Sequence, residues 1–173
     1  MGTLTVQTLQ APTSGANANK VLIPSGHNLL AAGHVVQTVQ YTEATDYSSA
    51  STSPAQAAQT GTFTLNNSSN KVLVTANFLI RGQGSSSVTA ARSAIYRGTV
   101  ASGTKIRGGS EPQFYTQDGG TEQYLINCLQ FLDTPSASST TYSIGFWRHS
   151  SSGNVHIYGS FFNTTIIMQE IAQ

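Results

Sequence analysis

Alternation of apolar and polar residues over short runs is the feature that most constrains how this chain can fold. In residues 71–80 every second residue is apolar, namely Val72, Val74, Ala76, Phe78 and Ile80. Leu73 and Leu79 make the opposite side partly apolar as well, which is typical of a strand covered on both faces. Apolar residues do not recur at helical spacing, and Gly, Ser, Thr and Asn interrupt the chain every few residues. The pattern predicts an all-β fold with residues 71–80 as a central strand.

Other short runs predict the remaining strands. Residues 123–132 repeat the two-sided pattern, with Tyr124, Ile126, Cys128 and Leu132 on one face and Leu125, Leu129 and Phe131 on the other. Residues 140–148 and 155–158 flank the sequence Ser-Ser-Ser-Gly-Asn, which predicts a β-hairpin. Further strands are predicted at residues 35–41, 62–65, 88–97, 114–116 and 164–171. This spacing is typical of sandwich and barrel folds, and we expect about eight to ten strands.

The composition indicates one folded domain with an almost uncharged surface. Hydrophobic residues make up 38% of the 173 residues, whereas charged residues make up 9% and the net charge is +1. Such a weak field gives no attraction for nucleic acid or anionic lipid, so neither is expected as a partner. No apolar run reaches the length of a membrane-spanning helix, and the first residues do not have the pattern of a secretory signal. Synthesis in the cytoplasm is expected.

Two segments differ from the rest of the chain. Residues 1–33 hold only short β-like pieces joined by small polar residues, which predicts an N-terminal arm that needs a partner. Residues 34–173 are then the head domain. Residues 43–60 are Ser, Thr, Ala and Gln with almost no bulky side chain, and they predict a long exposed loop or a clamp on a neighbouring molecule.

The sequence contains no spacing that is specific for catalysis or metal binding. The Gly-x-Ser-x-Gly turn of many serine hydrolases is absent. Cys128, the only cysteine, excludes an intrachain disulfide, and its position in an apolar run predicts a buried thiol. The histidines lack metal-site spacing, although one of them, His34 or His156, could bind a metal on a three-fold axis. We expect no enzyme activity, cofactor or metal.

Residues 98–122 concentrate much of the scarce charge together with aromatic residues. The candidate contact surface consists of Lys105, Arg107, Glu111, Phe114, Tyr115, Asp118 and Glu122. A solvated loop that packs at a subunit boundary is the plainer interpretation. Carbohydrate stacking on Tyr115 or Trp147 is a second hypothesis, and the paired carboxylates Asp118 and Glu122 leave a polysaccharide depolymerase as the least favoured one.

Several segments, taken together and in order, resemble a family of phage virion proteins. They are residues 4–10 with 20–27, residues 69–74, and residues 132–135 with 141–142 and 165–171. Such modules are frequent in tail-fibre and other particle-surface proteins of marine and cyanobacterial phages. The resemblance implies a jelly-roll-like antiparallel β-sandwich head, similar to the trimeric heads of tumour necrosis factor and complement C1q, and an arm that attaches or intertwines subunits. It carries over no functional site residue, because the shared pattern consists of strands and turns.

The resemblance and the uncharged, two-sided strands together predict a homotrimer on the virion. The leading hypothesis is a tail-fibre or fibre-tip appendage that contacts a host glycan or an outer-membrane protein. The alternative is a capsid decoration protein that clamps adjacent capsid subunits through the arm and residues 43–60. In both cases the arm docks on another tail or capsid protein. A host lectin or C1q-like protein is less favoured, because a signal peptide and disulfides are not seen in the sequence.

Overall fold

Thirteen β-strands make up all the regular secondary structure of the residues that this computed structural model describes, which are 13–15, 31–83, 89–116, 122–149 and 153–173. The first six strands are β1 (Val35–Glu43), β2 (Asp46–Ser49), β3 (Ala55–Gln59), β4 (Phe63–Thr64), β5 (Lys71–Gln83) and β6 (Thr89–Arg97). The others are β7 (Thr104–Gly108), β8 (Phe114–Thr116), β9 (Glu122–Asp133), β10 (Ser139–Thr140), β11 (Tyr142–Arg148), β12 (Asn154–Tyr158) and β13 (Thr164–Ile171). Within the described part of the chain, no helix is long and apolar enough to cross a membrane.

The strands form two antiparallel sheets. In the first sheet β5 pairs with β9 along one edge. Its other edge pairs with β13 and, further along the strand, with β12. Strand β1 lies outside β13, and β2 lies outside β12. The second sheet has the order β3-β11-β6-β7, with β8 also paired to β6, and β4 and β10 form a separate two-stranded sheet. The eight main strands are β1, β3, β5, β6, β7, β9, β11 and β13. Ranked among themselves by chain order, these strands are arranged first–eighth–third–sixth in one sheet (β1-β13-β5-β9) and second–seventh–fourth–fifth in the other (β3-β11-β6-β7). This is the strand order of a jelly roll, and it confirms the predicted fold class.

The core lies between the two sheets and is built by strand alternation. Val72, Val74, Ala76, Phe78 and Ile80 of β5 are fully buried, as the sequence pattern predicted. Strands β11, β12 and β13 add alternate residues to the same cluster, among them Tyr142, Ile144, Phe146, Ile157 and Ile166. Each large apolar side chain buried in this way stabilises the fold by about 1.5–3 kcal/mol relative to an exposed one.

The predicted hairpin between residues 140–148 and 155–158 is wrong. Strand β11 pairs with β3 and β6 in the second sheet, whereas β12 pairs with β2 and β5 in the first, so the chain crosses between sheets after β11. The reason is that β3 and β6 already pair with the two edges of β11, so neither edge is left for β12. The count of thirteen exceeds the predicted eight to ten because several strands have only two to five residues.

Residues 43–60 are not one long exposed loop, so this prediction is wrong for most of the segment. Strands β2 and β3 lie within it, and Ala57 and Ala58 are only 2% exposed. Thr60 is buried as well, and its backbone N–H donates to the carbonyl oxygen of Tyr142 at 2.8 Å. Ala57 and Ala58 belong to the core cluster, but their side chains are small, so this part of the core gave no strong apolar signal in the sequence.

The predicted N-terminal arm lies almost entirely outside the described residues. The backbone N–H of Gly33 donates to the carbonyl oxygen of Ala172 at 2.8 Å, and that of Ala172 donates to the carbonyl oxygen of His34 at 2.9 Å. These bonds continue the pairing of β1 with β13. The boundary between residues 33 and 34 and the role of the arm stay predictions.

Candidate contact surfaces

The structure distributes the predicted contact residues over separate places. Lys105 and Arg107 are exposed on β7, and Tyr115 is 49% exposed on β8. Arg107 and Glu111 line one shallow cleft, whereas Glu122 begins β9 and forms an ion pair with Arg81 of the first sheet. Asp118 and the side chain of Phe114 lie outside what the structure describes. The role of this set as a contact surface stays a prediction.

Trp147 is not available for stacking on a sugar. It is 5% exposed and packs with Ala94 and Tyr96. Gly109 lies so close that a β-carbon there would come within 2.7 Å of the indole ring. Tyr115 remains exposed and makes an edge contact with His149, with ring centroids 6.3 Å apart. Of the two aromatic residues proposed for carbohydrate stacking, only Tyr115 keeps an accessible ring.

The thiol of Cys128 is exposed, so the prediction of a buried cysteine is wrong. Among the described strands, β9 pairs only with β5, which makes it an outer strand with one face toward the core. Leu129 packs against the core cluster, and by strand alternation the neighbouring Cys128 falls on the opposite face.

Strand β9 carries the largest group of exposed apolar side chains in the described part of the chain. Tyr124, Ile126 and Leu132 are 53%, 61% and 46% exposed on the outer face of the sheet, and we call them the β9 surface. Leu125, which is 37% exposed, lies on the opposite face, so residues 124–126 are three consecutive exposed apolar residues, a pattern that folded proteins avoid unless it serves a function. No charged residue or proline occurs between Glu122 and Asp133. The strand therefore lacks the features that normally prevent pairing of an exposed edge.

A cluster of aromatic rings around Arg81 supports one end of the β9 surface. The guanidinium carbon of Arg81 lies 5.6 Å from the ring centroid of Tyr124 and 5.5 Å from that of Tyr158. Arg81 also donates to the Tyr158 hydroxyl and pairs with Glu122. His156 stacks on Tyr158 at 5.5 Å between centroids, and Phe161, which is 81% exposed, meets the same ring edge-on at 5.8 Å. These contacts, which we call the aromatic cluster, hold Tyr124 in a fixed position.

The hypothesis of a metal at His34 or His156 gains no support from the described residues of one copy of the chain. These residues contain no group of three or more His, Cys, Asp or Glu side chains that could hold an ion. His34 is exposed, and His156 lies against Tyr158. Burial and the nearby guanidinium of Arg81 lower the pKa of His156, so its imidazole is neutral at neutral pH. A site on a symmetry axis would need further copies and stays a hypothesis.

Glu170 forms the centre of a buried polar cluster. Its carboxylate is fully buried and accepts hydrogen bonds from the Asn70 and Gln37 side-chain amides, both at 2.7 Å. It also accepts from the backbone N–H and side-chain amide of Asn66 at 2.8 and 2.9 Å, and from the backbone N–H of Asn67 at 3.2 Å. Three of the donor residues lie in the turn before β5 and Glu170 lies on β13, so the carboxylate joins this turn to β13. Its partners are all amides, which is unlike the surroundings of a catalytic acid.

A second buried polar cluster joins β9 to β11. The hydroxyl of Tyr142 donates to Asp133 at 2.9 Å. Arg97 lies 3.7 Å from the same carboxylate and donates to the carbonyl oxygen of Thr134 at 3.0 Å. Burial and the charge of Asp133 raise the pKa of Tyr142, so its hydroxyl stays protonated and remains a donor. Both polar clusters join segments that are distant in the sequence, residues 69–74 with 165–171 and residues 132–135 with 141–142.

Replacing Tyr142 by Phe is expected to lower the free energy of unfolding by about 1–3 kcal/mol, because a buried carboxylate loses its hydroxyl donor while the ring stays in the core. Urea unfolding of the variant measures the change. The control is Tyr115→Phe, which removes a hydroxyl from a half-exposed ring and should leave stability unchanged. Equal losses in the two variants would contradict this role for the Tyr142 hydroxyl.

Comparison with known proteins finds no family model that matches the chain and no curated protein that matches it. Solved structures do align with it, at low sequence identity. Dimeric latent PorU from Porphyromonas gingivalis aligns with a TM-score of 0.44 and 9% identity over 90% of this chain and 15% of that chain. The structure of infectious bursal disease virus strain Gt aligns with a TM-score of 0.40 and 14% identity over 94% and 44% of the two chains. The VP2 subviral particle of the same virus gives 0.40 and 14% over 80% and 39%.

Each alignment spans less than half of the other protein. Similarity at this level carries no argument about function. The fold assignment rests on the strand order of this chain itself.

Proposed function

We propose that this chain is a structural protein of a phage particle and that its β-sandwich heads associate with one another, as a trimer. The observation that carries the proposal is the β9 surface, an apolar and uncharged outer strand of the first sheet. Contiguous exposed apolar surface of this kind is typical of protein interfaces. The sparse charge of the chain supports it further, because many copies can pack closely without mutual repulsion.

Within this proposal, the leading role is a tail-fibre or fibre-tip appendage used for host attachment. The exposed residues Lys105, Arg107 and Tyr115 then face a host glycan or an outer-membrane protein. They lie on the second sheet, whereas the β9 surface belongs to the first. A capsid decoration protein is the alternative role, in which the arm binds a capsid subunit.

The proposal assigns no catalytic reaction to the chain. Of the paired carboxylates considered for glycoside hydrolysis, Glu122 forms an ion pair with Arg81 and accepts a hydrogen bond from the Tyr124 hydroxyl at 2.9 Å. These contacts link the start of β9 to Arg81, and they are the polar contacts that the structure gives to Glu122. Incubation of host capsule with the purified protein is expected to release no reducing sugar.

Locating the protein in a reconstructed virion tests the proposal and separates the two roles. A tail appendage is expected at few copies at the tail, and a decoration protein at every equivalent position of the capsid lattice. Antibody labelling of intact particles provides an independent readout. Absence of the protein from purified virions would contradict both roles.

A further inference from the structure

A polar cleft of about 460 Å³ lies where the turn between β6 and β7 meets β10. Ligand clefts in proteins commonly have volumes of roughly 300–1,000 Å³. Arg97 is the only charged residue among the described residues that line this cleft, and none of them is aliphatic or aromatic. Six of the lining residues carry hydroxyl groups, namely Thr62, Ser102, Thr104, Ser139, Thr140 and Thr141. We call this site the Arg97 cleft.

Arg97 presents one edge of its guanidinium group without a partner in the described part of the chain. Its Nη1 atom donates to the carbonyl oxygen of Thr134 at 3.0 Å and lies 3.7 Å from the Asp133 carboxylate. No described residue pairs with its Nε or Nη2 atom. The side chain is 26% exposed, so a ligand can reach it from solvent. The Nε–Nη2 edge of an arginine matches the two oxygens of a planar carboxylate and binds them together.

Three hydroxyl groups of the Arg97 cleft are also free to bind a ligand. The other three are already hydrogen-bonded within the protein. The free ones make no hydrogen bond to another described residue, and they belong to Thr62, Thr104 and Thr141. A hydroxyl group both donates and accepts hydrogen bonds, which suits the hydroxyl groups of a sugar.

The turn that forms one wall of the cleft has a fixed backbone. The N–H of Gly98 donates to the carbonyl oxygen of Thr141 at 2.8 Å, and that of Gly103 donates to the carbonyl oxygen of Thr99 at 2.7 Å. Gly98 has a φ of 88°, and a β-carbon at Gly103 would overlap the carbonyl oxygens of Arg97 and Thr99. Both positions therefore require glycine. A site that is fixed before binding loses little entropy when the ligand arrives.

We propose that the Arg97 cleft binds an acidic sugar residue, with the sugar carboxylate on the Nε–Nη2 edge and the sugar hydroxyls on the free threonine hydroxyls. The inference rests on the proposed host attachment and names the class of host glycan. A neutral sugar would leave the guanidinium edge unpaired, and a simple carboxylate would leave the threonine hydroxyls unpaired. The contact with Asp133 is compatible with the ligand, because it uses Nη1 and leaves the other edge open.

Ligand-observed saturation-transfer-difference NMR with the full-length protein and D-glucuronate tests the proposal. We expect saturable binding in the millimolar range, and binding of D-glucose and of acetate that is at least about tenfold weaker. Arg97→Lys keeps a positive charge beside Asp133 but removes the two-donor edge, so it should weaken glucuronate binding at least about tenfold. Thr104→Val removes one free hydroxyl at an exposed position and should weaken binding about threefold or more.

Arg148→Lys on β11 is the matched control, because Arg148 also donates to a backbone carbonyl oxygen but does not line the cleft. It should leave the dissociation constant for glucuronate unchanged. Urea unfolding shows whether each variant keeps its fold. Equal binding of glucuronate, glucose and acetate would overturn the proposal. So would wild-type affinity in folded Arg97→Lys, or in Thr104→Val should the arginine variant not fold.

Failure of this inference and failure of the proposed function are distinguishable. No residue of the β9 surface lines the Arg97 cleft, so binding is measurable whatever the state of self-association. Loss of glucuronate binding as a property of the wild type, with the protein still present on purified virions, would overturn the cleft alone. Absence from virions would overturn the proposed function, even with glucuronate bound in the cleft.

Discussion

Ile126→Arg is expected to dissociate the oligomer. Ile126 is the most exposed member of the β9 surface at 61%, and burial of an unpaired guanidinium against an apolar partner is strongly unfavourable. We expect the dissociation constant for self-association to rise by at least about a hundredfold, in the range found for residues that dominate an interface. Sedimentation equilibrium over a concentration series measures this change directly.

Two control variants separate loss of the interface from loss of the fold. Tyr115→Arg introduces the same charge at a half-exposed aromatic residue of the second sheet and should leave the oligomer intact. Ile126→Val keeps the site apolar and should change the dissociation constant only slightly. The far-ultraviolet circular dichroism spectrum of Ile126→Arg should match that of the wild type. An unchanged oligomer in Ile126→Arg would show that the β9 surface is not the subunit contact.

Glu170→Ala is expected to be among the most destabilising single substitutions in the head, with a loss of about 3 kcal/mol in the free energy of unfolding. The fully buried carboxylate accepts hydrogen bonds from Gln37, Asn66, Asn67 and Asn70. Its removal leaves the buried amide of Asn70 without this acceptor, and the partly buried hydrogen bonds from Gln37, Asn66 and Asn67 are lost as well. Urea unfolding should show a lower midpoint at an unchanged slope.

Glu111→Ala, at an exposed position of the loop before β8, is the control and should change stability by no more than about 0.5 kcal/mol. Equal stability of Glu170→Ala and the wild type would contradict the structural role of the cluster.

The same carboxylate makes stability depend on pH in a defined direction. Burial raises the pKa of Glu170, but the hydrogen bonds from Asn70, Asn66 and Gln37 outweigh it, and the net effect is a lowered pKa. A carboxyl group with a lowered pKa in the folded state stabilises the fold above its unfolded value, and the contribution is lost as the pH falls through the folded value. We therefore expect the wild type to lose stability below about pH 4 more steeply than Glu170→Gln. Parallel pH profiles would contradict this linkage.

The sequence predicted the individual strands better than the way in which they are joined. Alternation placed β5 and β13 correctly, because each buries every second residue in a strand that crosses the core. The turn after β11 was misassigned since a Ser-Ser-Ser-Gly-Asn sequence permits a hairpin and a crossing between sheets equally well. Only the demand for neighbours on both edges of β11, a property of the assembled sheet, selects between them.

The β9 surface was harder to predict for a related reason. Both β5 and β9 have apolar residues on two faces, and this pattern indicates a central strand. In β5 the prediction is correct, whereas in β9 the second apolar face is exposed, as Ile126 and Cys128 show. A pattern within one strand does not reveal whether another strand lies beside it. The absence of charge from residues 123–132 was the available signal that β9 carries an exposed, uncharged apolar face.

The native mass of the purified full-length protein at micromolar concentration tests the central claim most directly. The β9 surface predicts a discrete oligomer, expected to be three copies, in native mass spectrometry and in sedimentation. This mass should persist on dilution until the dissociation constant is reached and should fall to that of one copy in Ile126→Arg. A wild-type protein that remains a stable monomer at micromolar concentration would contradict the claim that the heads associate with one another.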